Sequence, residues 1–165
     1  MKKSVFLSVF AAALFASCAQ APQGNFRVFL KEGAFRADSI RLAIGEVAVR
    51  RAGGSWVTVP GDTRTVDLVR LAARHEDLVA GDLAPGSYSG IHLLITGAQM
   101  TVGGRTFDLS VPNAEIRIQA PFTIVRGRAT DIILDFDADE SLVFGPPGSG
   151  EGVLRPVFSF VSVYY

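Results

Sequence analysis

The chain has 165 residues, with 16 basic and 16 acidic side chains, 48% apolar content, one cysteine and two histidines. One cysteine excludes a disulfide framework, and one Cys with two His is too few for a structural zinc site. Zero formal charge lacks the basic footprint of a nucleic-acid binder, and high apolar content with little charge excludes a disordered chain. The length suits one domain with its own core.

Lys2 and Lys3 precede an uncharged run over residues 4–16 that is rich in Val, Phe, Leu and Ala. This is a charged n-region followed by an h-region, shorter than the roughly 20 residues of a membrane-spanning helix. Ala16 and Ser17 then lead into Cys18, the only cysteine. The pattern resembles a bacterial lipoprotein signal, in which the cysteine thiol takes a diacylglyceryl group and cleavage makes Cys18 the first mature residue. Phe15 stands where Leu is usual in such signals, with Leu14 one place earlier. The competing reading is an ordinary secretory signal cut after Ala19 or Ala21, giving a secreted or periplasmic soluble protein. Ala19, where Asp would resemble the enterobacterial inner-membrane retention signal, favours the outer membrane or outer surface of the cell envelope. Residues 19–25 are polar with Pro and Gly and read as a tether. The expected organisation is therefore a signal peptide at 1–17, a lipidated cysteine and tether at 18–25, and one domain at 26–165. Cleavage removes Lys2 and Lys3, leaving the mature chain with two more acids than bases.

Beyond the tether the apolar spacing is mostly two, the period of a strand. Phe26, Val28 and Leu30 alternate with charged residues, as do Ile40, Leu42 and Ile44 within 39–51. That second alternation slips at Gly45 to Val47 and Val49, which predicts a β-bulge. Gly53-Gly54 predicts a tight hairpin into a strand over 55–59, and Gly103-Gly104 another between 99–102 and 105–111. Further strands are predicted at 64–69, 87–96, 115–119, 122–125, 130–137 and 154–165. Residues 69–79 lean towards a short helix or a loop. Pro85-Gly86 fits a type II turn, and Tyr88 just after it resembles a tyrosine corner, with an ordinary half-buried strand tyrosine as the alternative. About nine strands and no helix of crossover length predict an all-β antiparallel sandwich of Greek-key type, immunoglobulin-like or prealbumin-like. The aromatic-rich stretch before Tyr165 would suit an outer-membrane barrel strand. However, Val157, Val161 and Val163 lie opposite Phe158 and Phe160, so both faces are apolar, as in a central sandwich strand.

The search for chemistry returns fragments. Gly86-Ser-Tyr-Ser-Gly90 has the glycines of a nucleophile elbow but Tyr88 at the nucleophile position. His75-Glu76 begins like a zincin helix, with Val79 where the second histidine belongs. His92 falls among apolar strand residues and reads as structural. The glycine-rich stretch 146–152 lacks a following Lys and helix and reads as a loop. Asp135, Asp137, Asp139 and Glu140 form the sharpest cluster. On a regular strand the aspartates are about 6.8 Å apart, too far to chelate one ion together. A bend after Asp137 would let them converge on calcium, the one cofactor the sequence raises. Glu140 at the turn-glycine position and Pro146 at the bidentate-glutamate position exclude an EF-hand. The alternative is a solvated face opposite Ile132, Leu134 and Phe136. Trp56, Tyr164 and Tyr165 are candidates for an aromatic sugar-binding platform, with core packing as the competing fate.

The ordered series SIRLAIGEVAV, GGSWVTV, RTVDL, LAPGSYSGIHLLI, APFTI, ILDFDADES and VLRPV, behind the lipoprotein-like leader, resembles the domain-of-unknown-function family numbered 4382 over residues 26–161. The sequence departs from the family at Gly33-Ala34-Phe35, where an Asp-Ala-Pro turn is usual. The resemblance implies an extracytoplasmic β domain of prokaryotic surface proteins and lipoproteins, and it carries over no reaction. The expectation is a non-enzymatic binding or structural module anchored to the envelope membrane by lipid, with a protein or glycan partner. Its first alternative is calcium-dependent binding through the acidic cluster, and its second is an envelope hydrolase.

Overall fold

The structure, a computed structural model, describes residues 23–32, 37–61, 64–71, 76–145 and 152–165. The predicted leader with Cys18, the departure at 33–35, His75 and the loop residues 146–151 lie outside these. Among the described residues the chain forms twelve strands and two one-turn helices. In order these are β1 (Gly24–Glu32), β2 (Ser39–Arg51), β3 (Trp56–Thr58), β4 (Arg64–Asp67), α1 (Leu68–Leu71), β5 (Glu76–Leu83) and β6 (Gly86–Val102). There follow β7 (Arg105–Asp108), β8 (Glu115–Ile124), β9 (Ala129–Phe136), α2 (Ala138–Ser141), β10 (Leu142–Phe144), β11 (Gly152–Leu154) and β12 (Phe158–Tyr164).

Two sheets pack face to face as the expected all-β sandwich. The first has the order β12-β9-β1-β5. In the second, β2 and β6 run side by side; β3 and β4 flank β2, while β7 and β8 flank β6. β10 and β11 form a separate small ribbon. The alternation read from sequence builds the interior: Phe26, Val28 and Leu30 of β1 and Ile132, Leu134 and Phe136 of β9 are buried against Leu42, Val49, Ile91 and Leu93. Phe122 of β8 stacks on Phe26 at 5.3 Å between ring centroids and on Tyr88 at 5.1 Å, a three-ring column joining the two sheets.

The local predictions that the structure reproduces rest on backbone geometry. The phase slip is a bulge, with register breaks between Ala43 and Ile44 and again from Ile44 to Glu46 across Gly45, whose Cβ would stand 2.5 Å from the Thr96 side chain. Gly103 and Gly104 take φ of 58° and 75° in the two-residue turn between β6 and β7, values that a primed turn requires. The tyrosine corner is formed: the Tyr88 hydroxyl donates to the Ala84 carbonyl at 2.8 Å across the Pro85-Gly86 turn. Tyr88→Phe keeps the stack and removes this bond. It is expected to cost about 1 kcal/mol in urea denaturation, the net worth of one hydrogen bond.

Four expectations are corrected. The strands number more than nine, chiefly because β5, β10 and β11 were not separately foreseen. The first strand begins at Gly24, two residues before the alternation read from Phe26. The sandwich is not wholly antiparallel: β1 and β9 pair in parallel from Asn25↔Ala129 to Glu32↔Phe136. These strands lie at opposite ends of the domain sequence, so the intervening sandwich makes the crossover and no dedicated helix is needed. The fourth is β8, expected as two strands. It runs through Pro121 because only β6 pairs with it, leaving the missing N–H on a free edge, and a register break between Tyr88 and Gly90 absorbs the irregularity.

Candidate functional site

The acidic residues meet the structure one by one. Asp131 and Asp135 point outward from β9, while Thr130, Ile132, Leu134 and Phe136 face the core. Parallel register sets each aspartate opposite a base on β1. Arg27 donates from Nε and Nη2 to both Asp131 oxygens at 2.8 and 2.6 Å, and Lys31 Nζ lies 3.4 Å from Asp135. The carboxylate raises the Arg27 pKa above its ordinary value, first through the hydrogen bond and then through the charge itself. The chain does bend after Asp137, but the bend serves a helix cap: Asp137 Oδ1 accepts from Glu140 N at 2.9 Å. Asp139 and Glu140 are exposed on α2. Asp135, Asp137, Asp139 and Glu140 are therefore not gathered, and among the described residues no group of three or more His, Cys, Asp or Glu is placed to hold a metal ion.

The three aromatic candidates also stay apart. Trp56 lies on the outer face of the second sheet, half-exposed and edge-on to His92 at 5.7 Å, with its ring tip over Gly90. A Cβ at Gly90 would stand at ordinary contact distance, 3.5 Å, from that ring but only 3.0 Å from the Ile118 carbonyl, so the close approach at this glycine is to the backbone of β8. Tyr164 closes β12 in the other sheet, and Tyr165 follows it with its hydroxyl accepting from Thr123 N at 3.2 Å. β2 and β6 lie between β3 and β8, so the backbones carrying Trp56 and receiving Tyr165 are three strand spacings apart, about 14 Å. No common platform forms from them.

The structure instead assembles a groove that the sequence reading missed. Tyr165 reaches β8 at Thr123, near one end of that strand, while the other end of β8 faces the segment leading into β12 across a cleft. The cleft holds about 620 Å³ and is lined by Pro112, Asn113, Glu115, Arg117, Arg155 and Val157 among others. Glu115 Oε2 sits 3.7 Å from Arg117 and 3.9 Å from His92 Nε2, a buried atom that makes no hydrogen bond. Two guanidinium groups in an open cleft between strand edges suit an extended ligand bearing an anionic group. The lining contains one carboxylate and no nucleophile. Its two arginines are 38 residues apart in sequence and were visible only as single bases in apolar strand segments.

Comparison with curated proteins and with solved structures returns no match. The model of the family described as Domain of unknown function (DUF4382) matches residues 23–156, from the residue before β1 through the groove-lining Arg155 and Pro156. The chain belongs to that family.

Proposed function

We propose that the protein is a lipid-anchored domain of the cell envelope, held at the outer membrane or outer surface, that acts by binding or scaffolding and not by catalysis. The leader that ends at Cys18 carries the anchoring, and the part of the domain it would hold is set by Gly24. It is the sixth residue after Cys18 and is fixed at one end of the sandwich, where its Cβ would meet the Val125 carbonyl at 2.6 Å. Five tether residues span at most about 18 Å, so acyl chains on Cys18 keep that end of the domain beside the bilayer. Two or more chains are needed for stable anchoring, and the lipoprotein modification supplies them.

Intact-mass measurement of the membrane fraction tests this. The expected species begins at Cys18 and carries the diacylglyceryl mass; a mature chain beginning after Cys18 without acyl mass overturns it. The binding role is assigned to the groove between β8 and the segment before β12, whose Arg117 and Arg155 face solvent. Affinity capture from intact envelopes is expected to recover a partner with the lipidated wild type and to lose it with Arg117→Ala, Arg155→Ala. Equal recovery by both moves the binding role elsewhere on the domain.

A further inference from the structure

The end of the sandwich where the tether leaves has a distinctive surface. The turn between β8 and β9, residues 125–128, is pinned to the start of β1 by Gly127 N donating to Gln23 O at 3.2 Å and Asn25 N donating to Arg128 O at 3.1 Å. Its Arg126 and Arg128 are exposed, and among the described residues neither makes an ion pair. Val125 beside them is 40% exposed, and the Tyr164 and Tyr165 rings are each 60% exposed. Tyr165 is fixed to this rim by its bond to Thr123 N. Residues 118–130 carry Arg126 and Arg128 as their only charged side chains, and residues 158–165 carry none. Asp82, opposite Asn25, is an acid close by. The carboxylates Asp137, Asp139 and Glu140 lie past the far end of β9, nine residues and about 30 Å along the strand from Arg128. The rim is therefore basic and aromatic, and the acidic helix α2 is remote from it.

We propose that this rim is a membrane-docking face that seats on anionic phospholipid headgroups, with Arg126 and Arg128 on the phosphates and Val125, Tyr164 and Tyr165 at the interface. Exposed tyrosines suit the headgroup level, where an apolar ring and a polar tip are both satisfied, and basic side chains near an anionic leaflet are attracted to it. The tether argues for the occupant: a lipid on Cys18 brings a bilayer within reach of this surface. The inference rests on the anchoring reading for its geometry and adds to it an orientation, with α2 directed away from the membrane.

The test separates the two. A chain beginning at Ala19 lacks the lipid site but retains every described strand. It is floated with vesicles of phosphatidylcholine, with and without phosphatidylglycerol. It is expected to bind the anionic vesicles, less so as salt rises, and about tenfold more weakly as Arg126→Glu, Arg128→Glu. Arg41→Glu, Arg105→Glu, which reverses two exposed bases away from the rim, is expected to leave binding unchanged. Equal partition into both vesicle types, or indifference to the rim reversal, overturns the proposal. In the lipidated full chain on anionic vesicles, slowed amide exchange at 125–128 relative to the detergent-bound protein is the second readout. No slowing there, with acyl mass present on Cys18, removes the docking face and leaves the anchor standing. Vesicle binding by the Ala19 chain, with no acyl mass on the natural protein, does the reverse.

Discussion

Phe122→Ala is expected to lower stability by about 3–5 kcal/mol, the range for removing a buried phenylalanine from a core. Phe122 is 3% exposed and forms the middle of the column of three rings, between Phe26 of the first sheet and Tyr88 of the second. Its loss opens a cavity at the centre of the sheet-to-sheet contact and removes both ring pairs at once. Urea denaturation followed by the near-ultraviolet signal of Trp56 measures the change, with Tyr164→Ala as an exposed aromatic control expected to shift stability by about 0.5 kcal/mol or less. A loss of under about 1 kcal/mol for Phe122→Ala would mean that the two sheets are held together elsewhere.

The second large effect is on location. With anchoring at Cys18, Cys18→Ser is expected to eliminate the acylated form altogether, since the hydroxyl cannot replace the thiol in the lipid transfer. Each buried methylene of an acyl chain contributes about 0.8 kcal/mol, so two chains outweigh any surface attraction by a wide margin. The informative comparison is a high-salt wash of membranes containing a form that begins at residue 19. Wild type is expected to stay with the bilayer, while the unlipidated form, held only by charge, is released. Retention of the unlipidated form through the wash would mean that the cysteine is not the principal attachment.

What the sequence disclosed was local. The bulge at Gly45, the Gly103-Gly104 turn and the Tyr88 corner each depend on a few adjacent residues whose φ, size or hydroxyl dictates the geometry. β5 was hidden because Glu76 to Leu83 has three acids, a glycine and one β-branched residue, and it is a strand only because β1 pairs with it from Leu83 to Glu76. β6 was divided in expectation near Gly97, yet it continues because β2 accompanies it throughout and takes up the irregularity by shifting register. The parallel partnership of β1 with β9 joins residues about a hundred positions apart, as in Arg27 with Asp131, and no local pattern announces it. A separation of 38 residues between Arg117 and Arg155 hid the groove. The acidic cluster was legible as composition, but its use was not: parallel register gives Asp135 a lysine, and the helix cap consumes Asp137.

The place of β1 within its sheet sets how the domain carries load. It is flanked by β9 on one side and β5 on the other, and Gly24 is its first residue. Under the proposed anchoring at Cys18, a pull along the chain loads β1 from its first residue, across ladder bonds that run sideways to both neighbours. Those bonds are strained together, in shear. An edge strand pulled from its end would peel away one bond at a time. For a protein held to a surface at one point, the inner position of its first strand turns a sandwich into a mechanical fastening.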